Sequence, residues 1–342
     1  MSLIIADKEY KEFIQNLKTE VKQARLKAVR IVNTELIQLY YNIGQKIVQK
    51  QTETNWGDNL IGQIEIDLKK EFPEITGFSR ANLFYMRKMY LFFGEVEKVP
   101  QAVGQIPWGH IRLILDKLQD LGEANFYIQE TVNNNWSRVI LEHQIESGLY
   151  KRQGKTISNF EASIEPKDLQ AVSSAFKDPY IFDFLNFSTD LKERDLEQAL
   201  IDNITSFLLE MGKGFAFIGR QYKLTVGGDE FFIDLLFYNY ILKRFVVIEL
   251  KTTKFEPEFA GKLGFYLTAI DRQVKTETDK ETIGLLICKD KNSLVVDYAI
   301  GGKDKPMAVA EYKLSEMSPE FAKCLPSKEE IESITNIEKS EY

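Results

Sequence analysis

The chain has 342 residues, 44% hydrophobic and 28% charged, with 44 basic against 51 acidic side chains for a net charge of −7. This is globular composition at a length that suits two domains with sizeable cores. No run approaches the ~20 apolar residues of a membrane helix, and the first ten residues lack a signal-peptide core, so a cytoplasmic protein with no membrane partner is expected. Two cysteines (Cys288, Cys324) and two histidines (His110, His143) exclude a disulfide framework and a Cys/His metal centre. Any metal would be held by carboxylates, which favours Mg²⁺ or Mn²⁺.

In chain order, residues 1–155 read as a helical domain. Tyr10, Phe13, Ile14, Leu17, Val21, Ala24 and Ala28 recur at threes and fours, and a second helix is expected over Asn33–Gln49. Trp56–Asn59 punctuates, with Asp58 or Asn59 able to cap a third helix that ends at Phe72-Pro73. Ser79 should cap a helix over Arg80–Phe93 that carries Arg80, Asn82, Arg87 and Lys88 and no acid. Behind a helix and a turn containing Gly77, that element fits a helix-turn-helix plan whose basic residues could reach phosphates or bases; the alternative is a solvated face of an ordinary bundle. Pro100–Pro107 reads as a break, and Trp108–Leu118, Glu123–Asn133 and Ser137–Leu149 as three further helices. This half could also bind a protein or form a homo-oligomer through its helices. Residues 151–167 lack periodicity and read as a linker.

The second domain, 156–314, changes character. Its charge is acidic: 23 basic and 32 acidic residues lie beyond position 155, against 21 and 19 before it. A short helix near Asp168–Ala175 precedes Asp178-Pro179, and a long helix is expected over Asp190–Met211, closed by Gly212. Strand-like runs follow at Phe215–Gly219, Gln221–Val226, Glu230–Tyr238 and Arg244–Lys251, with Gly227-Gly228-Asp229 as a hairpin turn. A helix from Pro257, a strand at Ile283–Cys288, a helix near Leu294–Ala299 and a strand near Ala308–Lys313 complete an α/β sheet of mixed direction. Residues 315–342 form an acidic tail.

Two of the apolar strands hold charge in their middle, which is costly unless paired or metal-bound. If the hairpin turn centres on Ile241 and Leu242, Asp234 falls opposite Glu249, with Cβ atoms ~4.5–5.5 Å apart. Two carboxylates so placed repel, and a divalent cation relieves the repulsion. Lys251 follows Glu249 by two residues and projects from the same face. At ~100° per residue, Glu197 lies on the same helical stripe as Leu200, Ile201, Ile204 and Leu208, where a carboxylate needs a partner; Glu193, one turn earlier, could be a solvated flank. The plainer reading of Asp234, Glu249 and Lys251 is a buried ion pair, but two acids for one lysine leave surplus negative charge.

Helix Glu, strand Asp and Glu-x-Lys together resemble the PD-(D/E)xK nuclease superfamily. Segments Phe207–Leu224, Phe231–Asn239, Val246–Leu267 and Thr282–Asn292, with Tyr40–Gln51, Trp56–Ile61, Gly77–Tyr90, Ile106–Lys117 and Asn134–Arg152 before them, are similar to the YhcG-type family of bacterial nuclease-like proteins. The resemblance runs over about residues 20–314. It implies a restriction-endonuclease-like mixed sheet flanked by helices, preceded by an all-α domain, and hydrolysis of phosphodiester bonds, of DNA, by Mg²⁺-activated water. By the same resemblance Asp234 and Glu249 are the metal ligands, Lys251 orients water and stabilises charge, and Glu197 is the helix acid. Lys262 stands where a glutamine is common and could contact phosphate; Tyr266 is one turn on. Ile233 replaces the usual proline before the strand Asp. A protein that kept this fold as a catalytically silent DNA-binding or assembly module is the alternative.

Overall fold

The computed structural model describes residues 8–53, 59–94, 101–185 and 192–314. The expected cap at Asp58, the helix start at Asp190 and the acidic tail with Cys324 lie outside the described residues, and the break expected over Pro100–Pro107 holds a short helix at Gln101–Gln105, where no proline interrupts the chain. The chain divides into two compact units, Met1–Ile145 and Glu146–Tyr342.

In the first unit the helices are α1 (Lys8–Glu53), α2 (Asn59–Glu71), α3 (Arg80–Phe93), α4 (Gln101–Gln105), α5 (Trp108–Lys117), α6 (Leu121–Asn134) and α7 (Arg138–Glu146). The two helices expected before residue 50 are one: no glycine or proline interrupts Ala28–Asn33, so α1 continues. Its C-terminal half buries Ile37, Tyr40, Tyr41 and Ile47. Close packing on α3 requires Gly44, where a Cβ would meet the Met86 carbonyl oxygen at 2.1 Å. Ser79 caps α3 as expected, its hydroxyl accepting from Asn82 N at 3.4 Å. His110 is a packing residue, its Nε2 2.9 Å from the Trp136 carbonyl oxygen.

The second unit begins with α8 (Leu149–Arg152), β1 (Ile157–Ser158), α9 (Phe160–Ser163), α10 (Pro166–Ala175) and β2 (Tyr180–Ile181). The expected linker at 151–167 is therefore incorrect: β1 pairs with the last strand, and Asn159 and Phe160 are buried. A short segment can be aperiodic in sequence yet fully integrated when its backbone completes a sheet edge. Next come α11 (Glu193–Asp202) and α12 (Ile204–Met211). The single helix expected here breaks at Asn203 (φ −112°, ψ 38°), whose side-chain amide donates back to the Ala199 carbonyl at 3.0 Å.

Then follow β3 (Phe215–Val226), β4 (Asp229–Asn239), β5 (Arg244–Lys254), α13 (Pro257–Gln273), β6 (Ile283–Asp290), α14 (Ser293–Ile300) and β7 (Met307–Lys313). The two runs expected on either side of Arg220 are one strand, β3, with a register shift between Phe217 and Gly219. Strand order is β1-β7-β6-β5-β4-β3, with β2 also pairing β7. The β3–β4–β5 meander is antiparallel, and β5, β6 and β7 are parallel.

One apolar cluster, including Leu196, Leu200, Phe207, Leu235 and Ile248, packs α11 and α12 on one face of the sheet. Another, including Leu236, Val247, Leu263 and Leu267, packs α13 on the other. The near-continuous apolar runs of β5 and β6 are what a sheet covered on both sides requires. At Gly284 a Cβ would lie 2.8 Å from Leu263 Cγ, so glycine there lets α13 sit close on β6. Cys288 is a buried hydrophobe, burial pushing its thiol up to about 12.

Candidate active site

The β4–β5 ladder runs from Asn239↔Arg244 to Leu235↔Ile248. In that register the next residues, Asp234 and Glu249, stand opposite one another. Pairing gives way there: the Asp234 carboxylate, through Oδ2, accepts the Leu250 N–H at 2.9 Å. The hairpin thus places two acids across from each other because their positions are symmetric about the turn at residues 240–243.

Glu249 is 1% exposed. Its Oε2 accepts from Lys262 Nζ of α13 at 2.9 Å, while Oε1 is buried without any hydrogen-bond partner. Burial, with the Asp234 charge adding to it, pushes the Glu249 carboxyl up to about 7. Burial also raises Asp234, against the Leu250 N–H and the two lysines, which lower it. Lys262 loses some basicity to burial, but the Glu249 charge and hydrogen bond more than reverse this and raise it. Neighbouring Tyr266 is buried, its hydroxyl donating to the Phe232 carbonyl at 2.9 Å, and its phenol is raised mainly by burial.

Lys251 is buried too. Its Nζ donates to Glu193 Oε2 at 2.8 Å and to the Leu250 carbonyl at 3.0 Å, and lies 5.3 Å from the centre of the Phe259 ring. Glu193, which the sequence suggested as a solvated flank, is the lysine's partner, and its half-exposed side chain opens the cluster to solvent. Glu197 is buried on α11 and accepts from Gln221 Nε2 at 2.5 Å, with Arg220 Nε 4.0 Å from its other oxygen. Burial raises its carboxyl, and Asp234 adds to the rise.

Gln221 and Arg220 were not anticipated. Gln221 has φ +44°, a left-handed conformation rare for a residue with a side chain, and faces Asp234 in the β3–β4 register. Backbone in such a region concentrates at working sites. The one sequence signal was the break in strand pattern at Arg220.

Asp234, Glu249, Lys251, Glu197 and Lys262 therefore form one cluster where the β4–β5 ladder ends, beside α11 and α13. Among the described residues no group of three or more His, Cys, Asp or Glu is spaced to hold a metal ion. Asp234 and Glu249 nevertheless fit a hard divalent cation. They oppose each other, both are raised by burial, and one oxygen is buried without a donor; Mg²⁺ commonly takes one or two carboxylates and keeps its remaining waters.

Arg80, Asn82, Arg87 and Lys88 lie on α3 of the first unit. Arg80 is exposed and sits over the Phe84 ring, and Lys88 is exposed and paired with Asp116 at 3.1 Å. Arg112 of α5 stacks on Tyr85, 4.4 Å from the ring centre. Asn82 is turned inward, accepting from Trp108 and Arg112 at 3.2 and 3.4 Å, and Arg87 is half-buried.

Comparisons with known proteins agree with both units. Residues 16–152 match the DUF1016 N-terminal domain model, and residues 173–326 match the YhcG PDDEXK nuclease domain model. The protein "Putative nuclease YhcG" of Escherichia coli (strain K12) is 30% identical over 333 residues, spanning 86% of this chain and 87% of its own length. Among solved structures, a repair endonuclease from Pyrococcus abyssi matches at 16% identity over 37% of this chain and 49% of its own, TM-score 0.24. A structure of an EndoMS–dsDNA2 complex matches at 15% identity over 40% and 48%, TM-score 0.26. The chain spans about half the length of these two structures. No helix among the described residues is long and apolar enough to cross a membrane.

Proposed function

The chain belongs to the YhcG family and carries its PD-(D/E)xK nuclease domain, and from that premise we propose that it hydrolyses phosphodiester bonds in DNA with the help of a divalent cation, Mg²⁺ or Mn²⁺. The observation that carries this reading is the Glu249 Oε1 atom, buried and without a donor, beside the opposing Asp234 carboxylate. A structural ion pair has no use for that surplus of acceptors.

Asp234 and Glu249 would hold the cation. When bound, it supplies positive charge that polarises the scissile phosphate and acidifies a water molecule. Lys251, steadied by Glu193 and the Leu250 carbonyl, presents an ammonium group to the negative charge that grows on phosphorus oxygens as the P–O bond to water forms and a P–O bond to sugar breaks. Glu197, its carboxyl raised by burial and held by the Gln221 amide, is suited to take a proton from the attacking water. Lys262, half-exposed and paired with Glu249, would be available to a phosphate oxygen with a cation held at that carboxylate. Arg80 and Lys88 on α3, with Arg112 stacked on Tyr85, form a basic and aromatic surface suited to the DNA backbone.

Plasmid nicking with Mg²⁺, Mn²⁺ or EDTA tests the proposal. Cleavage should require the metal and vanish in Asp234→Ala and Glu249→Ala. Metal-independent or mutation-insensitive cleavage would refute it, and DNA binding without cleavage under every metal would favour the silent, fold-retaining alternative.

A further inference from the structure

The N-terminal half of α1 does not share the burial of its C-terminal half. Tyr10, Phe13, Leu17, Val21, Val29, Ile31 and Val32 are all exposed, all but Tyr10 and Leu17 by more than half. A lone helix of this length is marginal in water, because helices in proteins draw most of their stability from packing an apolar face.

Within this half a heptad of apolar residues runs alongside Phe13, Val29 and Val32, which lie off it. Tyr10, Leu17, Ala24 and Ile31 repeat every seven residues, as do Ile14, Val21 and Ala28, and the two series alternate at spacings of three and four. A 3.5-residue repeat specifies a left-handed supercoil of helices. The repeat stops at Glu35 and Gln38, where its next two members would fall, and there the helix begins burying Ile37, Tyr40 and Tyr41 in its own unit. Lys22, Gln15, Asn16, Gln23 and Thr19 occupy the opposite side, joined by Val29. One helix thus carries two apolar faces in succession, and only the second is covered.

We propose that residues 10–31 form a parallel two-stranded coiled coil with the same residues of a second copy of this chain. The occupant is argued from residue type and charge. In the heptad, Ile14 and Val21 take the first seam position (a) and Leu17 the second (d), and β-branched side chains at the first with leucine at the second favour two parallel strands. The flanking position after Tyr10, Leu17 and Ala24 holds Lys11, Lys18 and Arg25, and after Ile31 it holds Val32. An antiparallel pair would set these three basic residues against one another. A parallel pair sets Glu20 against the partner's Arg25 and lets the Lys18 stem lie on the partner's Phe13. This inference is independent of the nuclease reading: a catalytically silent chain would dimerise in the same way.

Light scattering on the full chain at tens of micromolar should give twice the 39.6 kDa chain mass. The double substitution Leu17→Asp/Val21→Asp puts charge in the seam and should weaken association by on the order of a hundredfold or more. Because both positions are exposed in the single chain, thermal unfolding of the remaining structure should be preserved. Orientation is read by oxidative cross-linking in a Cys324→Ser background. Ala24→Cys in the seam should cross-link to itself, whereas Thr19→Cys on the outer side should not. A single-chain mass at every concentration, a dimer unaffected by the double substitution, or equal cross-linking at both positions would overturn the proposal.

Discussion

Two buried glutamates of the second unit show how a structural charge differs from a working one. Glu210 on α12 is saturated: Oε1 accepts from Arg152 Nη1 at 2.6 Å and from Ile181 N at 2.8 Å, and Lys177 Nζ lies 3.6 Å from Oε2. Arg152 in turn donates to the Ser147 and Pro179 carbonyls. This network fastens the segment around β2 to α12, and its donors match its acceptors. Glu249 is as deeply buried, yet one oxygen has no donor, the cation bonded to its other oxygen is a half-exposed lysine, and a second acid faces it. Equal burial with unequal satisfaction separates a clamp from a binding site.

That contrast is most sharply broken or upheld by charge-neutral substitutions. Glu249→Gln and Asp234→Asn should each lower metal-dependent cleavage by at least about 10²–10³-fold, the scale of losing a preorganised electrostatic group, while Tm is unchanged or rises because an excess buried charge is removed. Glu210→Ala should do the reverse. It leaves two buried cations uncompensated and should cost about 3–5 kcal/mol in denaturant unfolding. If Glu249→Gln destabilised the fold as strongly as Glu210→Ala, the distinction would be lost.

The same carboxylate predicts a pH dependence. With Glu249 at about 7 in the folded protein, above the ordinary 4.5 of a free glutamate, the folded state holds more protons than the unfolded chain between those values. Metal-free stability should therefore be highest below about 4.5 as far as this group is concerned, and decline as pH rises toward 7. Cation binding needs the deprotonated acid, so metal affinity should move the opposite way, rising as pH increases through about 7. Glu249→Gln should flatten this component of the stability profile, which urea unfolding across pH would detect.

Smaller effects are expected around the pair. Gln221→Gly relieves a left-handed φ but releases Glu197, so cleavage should fall by about tenfold, less than the ~10²–10⁴-fold of losing a general base outright, while stability holds or improves by about 1 kcal/mol. Arg80→Ala with Lys88→Ala should weaken DNA binding at all sequences alike and lower its salt slope by about two, as two lost phosphate contacts do. Filter binding at several salt concentrations measures this, and an unchanged slope would remove α3 from the interface.

The sequence exposes some of these features better than others. Asp234 and Glu249 are legible because a symmetric hairpin turns spacing into opposition, and the apolar stripe around Glu197 marks its burial. Other partnerships depend on tertiary geometry that no local pattern carries. Lys251 reaches across to Glu193 on another element, and Gln221 is aimed by a left-handed residue inside a strand that looked like two. Boundaries misread for related reasons. α1 is continuous because nothing breaks it, although its two halves face different surroundings, and Asn203 divides α11 from α12 by returning its side chain to the backbone. Residues 151–167 look like a linker because a two-residue strand and one-turn helices leave no periodicity.

The central claim is that opposing strands hold Asp234 and Glu249 to share one divalent cation. Titration of the metal-free protein with Mn²⁺, followed by electron paramagnetic resonance, tests it most directly. The wild-type chain should bind one ion at this pair and lose it in Asp234→Asn/Glu249→Gln, with the fold intact by circular dichroism. Undiminished Mn²⁺ binding in that double variant would contradict the account.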